Sequence, residues 1–113
     1  MNTLKTRLLA AFLMSMCMLM MTAAHANERY GKQKVVYHIN YDGGAESKAY
    51  RGAMRNIQNH INAVGAENME IKVVLHGNGL GLLKSAKDND ALQTAVASLK
   101  SQSVGFQVCN NTL

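Results

Sequence analysis

Past its first 26 residues the chain predicts an α/β fold, a parallel sheet flanked by helices. Three apolar runs rich in β-formers alternate with two stretches of helical periodicity, each run ends in turn-forming residues, and no proline, repeat or low-complexity tract divides the series. Strand, helix, strand, helix, strand is the order expected of parallel strands joined by right-handed crossovers. The expectation is one domain over residues 27–113, with helices on both faces of the sheet.

Residues 1–26 are set apart from that domain as a cleavable export signal. Lys5 and Arg7 precede an apolar run from Leu8 to Met21, and Ala24-His25-Ala26 supplies the small-x-small pattern at which signal peptidases cut. The run is shorter than the roughly 20 residues that a membrane span needs, so no membrane association is expected after cleavage. Met16 stands before Cys17 where lipidation requires a small residue. The location implied is periplasmic or secreted.

Removing the signal changes the composition. Six of the eight methionines leave with it, and only Met54 and Met69 remain. Loss of Lys5 and Arg7 lowers the twelve Lys+Arg to ten against seven Asp+Glu, without a basic run. That is ordinary solubility charge and excludes a nucleic-acid footprint. A domain this short buries only about 60% of its unfolded surface, which favours oligomerisation.

Lys34-Val35-Val36-Tyr37-His38-Ile39-Asn40 is an apolar run before the turn signal Asp42-Gly43-Gly44 and reads as a strand buried on both faces. Between Glu46 and Val64, Ala53, Met54, Ile57, Ile61 and Val64 recur at three and four, Arg51, Arg55 and Gln58 lie away from that stripe, and Gly65 supplies the stop. Met69 to His76 is a second strand that exits at Gly77-Asn78-Gly79, followed by a short helical turn around Leu80 to Ala86. Asp88-Asn89-Asp90 offers cap oxygens to a helix in which Leu92, Ala95, Val96 and Leu99 share a face. Val104 to Val108 is the third strand. The chain stops just past Cys109, where a cap would launch another helix, so a C-terminally incomplete domain is expected.

Parallel strands open their carboxyl ends on one edge, where α/β proteins bind ligands. His38, His76 and Cys109 each lie at or near the end of a different strand. Cys109 is the only cysteine beyond the signal. If Asn110-Asn111-Thr112 is the first turn of a helix, its N–H groups would stabilise a thiolate; the alternative is a small buried hydrophobe. His38 and His76 could act as proton donor or thiolate partner, or could simply be strand-end histidines bonded to backbone. His60, on the first helix, reads as a rim residue.

Other chemistries fit less well. Cys109, His38 and His76 could ligate zinc, but the spacing is not diagnostic and no metal or cofactor is expected. Gly77-Asn78-Gly79-Leu80-Gly81 departs from a dinucleotide loop in its third glycine and follows the second strand, so a tight turn is the better account. Asn110-Asn111-Thr112 matches a glycosylation sequon, which matters only in a eukaryotic secretory pathway.

Val35-Val36-Tyr37-His38-Ile39-Asn40, Arg55-Asn56-Ile57-Gln58-Asn59-His60-Ile61-Asn62, Ile71-Lys72-Val73-Val74-Leu75-His76-Gly77 and above all Val104-Gly105-Phe106-Gln107-Val108-Cys109-Asn110-Asn111-Thr112-Leu113 together resemble the exported, single-domain branch of the DsrE/DsrF-like proteins. The resemblance implies a Rossmann-like sheet of about five strands, three of them in this chain, assembled into homo-oligomers. It also implies that Cys109 carries sulfur as a persulfide, with a small sulfur species or an acceptor thiol protein as partner. His38 and His76 do not come from the resemblance. The competing expectation is a non-enzymatic, oligomeric ligand-binding or assembly module in which Cys109 is structural.

Overall fold

A computed structural model describes residues 2–14 and 31–112. The first segment is a helix, α1, over residues 2–14. The expected cleavage site at Ala24-His25-Ala26, and Cys17, lie outside the described residues. Among the described residues no helix is long and apolar enough to cross a membrane.

The second segment is an α/β unit. Its strands are β1 (Gln33–Ile39), β2 (Met69–Leu75) and β3 (Gly105–Val108), and its helices are α2 (Lys48–Val64), α3 (Gly81–Ser85) and α4 (Asp90–Ser101). The sheet is open and parallel in the order β1-β2-β3, consistent with a Rossmann-like topology. Ile39, Leu75 and Val108 lie in one cross-strand row, as do Tyr37, Val73 and Phe106. These rows set which residues share a face.

Each strand steps to the next in the same direction, so two crossovers of one hand deliver α2 and α4 to the same side. The burial pattern follows. Ile39, Ile71, Val73 and Leu75 are buried in one cluster with Tyr50, Met54, Ile57 and Ile61 of α2, Leu82 of α3 and Leu92, Val96 and Leu99 of α4. The alternate residues Lys34, Val36, His38, Glu70, Lys72 and Gln107 are exposed. Two expectations are corrected here: the helices pack on one face of the sheet rather than both, and the first strand is buried on one face only. The continuous run Val35-Val36-Tyr37-His38-Ile39 conceals a period of two, because Val36 is apolar yet 66% exposed.

The helix limits obey local chemistry. The Asn89 side chain accepts a hydrogen bond from the Leu92 N–H at 3.0 Å, so the middle residue of Asp88-Asn89-Asp90 caps α4. Gly65, at φ 95°, ends α2 with its N–H on the Ile61 carbonyl at 2.8 Å. Gly77 to Leu80 forms a 3₁₀ turn against the end of β1. A Cβ on Gly79 would overlap the Ile39 carbonyl oxygen, and Gly77 takes a positive φ of 53°. The glycines of this segment therefore serve a tight packed turn, as expected.

Candidate functional site at the carboxyl edge of the sheet

The ladder continues one residue past each strand. The His76 N–H donates to the Ile39 carbonyl at 3.0 Å, and the Cys109 N–H donates to the Leu75 carbonyl at 2.9 Å. His76 and Cys109 thus occupy neighbouring strands at the same level of the edge. His38 lies opposite Val74 in β1, one step before Ile39.

Side-chain alternation then places all three on one face. Ile39, Leu75 and Val108 form a row on the helix-covered side, so the flanking His38, His76 and Cys109 belong to the open side. The imidazole rings of His38 and His76 meet with centroids 5.6 Å apart and planes tilted by 39°. Both histidines are exposed, and Cys109 is half-buried. Among the described residues the Cys109 thiol makes no hydrogen bond with either histidine, and no group of three His, Cys, Asp or Glu side chains is placed to hold a metal ion.

Beyond Cys109 the backbone differs from the expectation of a helical first turn. Asn110–Thr112 is a single 3₁₀ turn, with the Thr112 N–H on the Cys109 carbonyl at 3.0 Å. The Gly77 N–H donates to Thr112 Oγ1 at 3.4 Å, which fastens this turn to the exit of β2. A turn of three residues does not assemble the aligned peptide dipoles of a helix, so that source of thiolate stabilisation is not formed over these residues. What surrounds the sulfur is instead a strand end, an imidazole-bearing neighbouring strand and a backbone turn.

The other polar groups serve packing. His60 is half-buried, with Nδ1 2.8 Å from the Tyr37 hydroxyl and the two rings edge to face, and burial pushes the Tyr37 hydroxyl above its ordinary pKa. The Tyr50 hydroxyl donates to the Asn78 carbonyl at 2.7 Å and ties α2 to the turn after β2. Its pKa is raised chiefly by burial and further by the Asp42 and Tyr41 charges, against a lowering by the Gly43 backbone.

Arg51 and Arg55, expected simply to lie away from the apolar stripe, line a groove between α2 and α4. The signal available for them was their spacing of four on one helix. That spacing reveals a shared side but not what faces it.

Comparison with known protein families, with curated proteins and with solved structures found no match to this chain.

Proposed function

We propose that the chain is an exported, DsrE-like sulfur-handling protein in which Cys109 carries a sulfane sulfur. The observation that supports this most directly is the parallel register, which sets Cys109 at the carboxyl edge beside His76 and on the same open face as His38. A half-buried thiol there is reachable by a small donor and shares its edge with two imidazoles, side chains suited to proton transfer.

The chemistry is sulfur exchange without net oxidation. The Cys109 thiolate forms a bond to the outer sulfur of a polysulfide or thiosulfate-type donor. The donor's sulfur–sulfur bond breaks, and its electron pair leaves on the shortened polysulfide or on sulfite. An acceptor thiolate then attacks the outer sulfur of the Cys109 persulfide, and Cys109 departs as thiolate. His38 and His76 act as proton donors to the departing groups.

Mass spectrometry of protein incubated with inorganic polysulfide tests this reading. The expected product carries the added mass of one sulfur atom, removable by a small thiol and absent from Cys109→Ser. A chain that gains no sulfur, or a Cys109→Ser variant that still gains it, rejects Cys109 as the carrier.

The uncovered sheet face favours a second reading, an assembly module that pairs this face with a second copy of the chain. All-parallel sheets occur almost always with both faces covered, and here Val36 is 66% exposed beside half-buried Val74. On this reading light scattering shows a dimer that Val36→Lys dissociates, while Cys109→Ser leaves it intact. A monomeric wild-type chain rules it out.

A further inference from the structure

Between α2 and α4 runs a groove of about 430 Å³ that no part of the sulfur chemistry uses. It exists because α4 presents small residues, Ala91, Thr94, Ala95 and Ser98, to α2 across it. Its apolar lining includes Met54 and Leu99, each only 1% exposed. One end is closed by a reciprocal amide pair: Gln58 Nε2 donates to Gln102 Oε1 at 3.0 Å, and Gln102 Nε2 donates to Gln58 Oε1 at 2.7 Å.

The wall formed by α2 carries Arg51 and Arg55, one turn apart. Like charges at this spacing repel each other. Neither guanidinium has an anionic partner, since the one ion pair among the described residues joins Lys34 and Glu70. Asp90, the first residue of α4, is exposed and pairs with neither arginine. Arg51 Nε is moreover buried from solvent and lacks any hydrogen-bond partner. A buried N–H donor of a cation without an acceptor is unfavourable, and folded proteins rarely leave one so. An oxyanion meeting the terminal nitrogens of the two guanidinium groups would relieve the repulsion, offset the charge on the unpartnered Arg51 and match the planar fork of a guanidinium.

We infer that this groove binds a small organic anion, its phosphate, sulfonate or carboxylate head held by Arg51 and Arg55 and its apolar body lying against Met54, Ala95 and Leu99. The Thr94 hydroxyl, on the opposite wall, offers a further donor to the head. The site is separate from Cys109 and does not depend on its chemistry.

The test follows the arginine Nε–Hε resonances of the isotope-labelled full chain by NMR during titration with phenyl phosphate, benzoate and inorganic phosphate. Phenyl phosphate should shift the Arg51 Nε–Hε signal saturably and bind more tightly than inorganic phosphate, which lacks the apolar body. Benzoate separates a need for any oxyanion from a need for phosphate: binding by both aromatic probes supports the shared head chemistry, and binding by phenyl phosphate alone narrows it to phosphate. Arg51→Gln and Arg55→Gln should each weaken phenyl phosphate binding by about tenfold or more. Lys48→Gln removes a charge from α2 outside the groove and should leave it unchanged. Ala95→Leu fills the groove while keeping both arginines and should abolish binding. The inference is overturned if no probe shifts Arg51 saturably up to tens of millimolar, if Lys48→Gln weakens binding as much as Arg51→Gln, or if Ala95→Leu binds like the wild type.

Discussion

The two faces of the sheet are made by alternate residues of the same three strands, yet they follow different rules. On the covered face Val73 and Leu75 are fully buried beneath α2, α3 and α4, and each such side chain contributes about 1.5–3 kcal/mol by leaving water. On the open face Lys34, Val36, His38, Lys72 and His76 keep their solvent. One face therefore holds the fold together, and the other is free to carry reactive or recognising groups. Cys109 and the two histidines all fall on the second, so substitutions there can alter chemistry with little change in stability.

This contrast can be tested by matched substitutions. The largest effect is expected for Leu75→Ala, which opens a cavity in the covered face and should destabilise by about 2–5 kcal/mol; urea unfolding measures it, and a loss below about 1 kcal/mol contradicts the assigned core. Next is Tyr50→Phe, which removes the hydroxyl donor to Asn78 and should reduce stability by about 1 kcal/mol, read from the same curves.

The covered face also predicts a pH dependence. Tyr37 and Tyr50 both have raised pKa values, mainly from burial. The folded chain therefore holds these protons to higher pH than the unfolded chain does. Their contribution is fully present below the ordinary tyrosine value of about 10 and is lost as pH rises through the folded values. The urea midpoint should fall between about pH 9 and 11, and Tyr37→Phe should flatten part of that fall. An identical slope in wild type, Tyr37→Phe and Tyr50→Phe would show that neither hydroxyl is linked to folding.

The smallest effects belong to the open face. Lys34→Ala breaks the 3.6 Å ion pair with Glu70, whose side chains are 86% and 59% exposed, and solvent screening should hold the change below about 0.5 kcal/mol. Val36→Ala should be similarly mild in a monomer. A loss near that of Leu75→Ala at Val36 would mean that this face is buried in an assembly, which would erase the distinction between the faces.

Much of the fold is legible in particular residues. The periodicity of Met54, Ile57, Ile61 and Val64 fits α2, the oxygen-bearing cluster around Asn89 finds its place as the cap of α4, and the glycines after β2 suit the turn that Gly79 packs against Ile39. The convergence of His38, His76 and Cys109 on one edge follows from parallel strand order. Less legible is the one-sided layering, because Val35-Val36-Tyr37 is apolar on both alternations, and the direction in which successive strands step is not written in any local pattern. The Tyr37–His60 contact spans β1 and α2, and the groove beside Arg51 needs two helices, so neither could be read from one segment.

By itself the sequence determined the alternation of three strands with the helices between them, the Gly65 stop of α2, the Asn89 cap of α4, and that a single thiol beyond residue 26 follows the third strand. These are matters of side-chain period, capping and backbone freedom, and they act over a few residues. Only the tertiary structure decided that both long helices cover one face, that the two imidazoles meet at the open edge, and that the Nε of half-buried Arg51 is shut from solvent without a partner. Those outcomes depend on strand order and on helix–helix packing, which join groups that the chain keeps far apart.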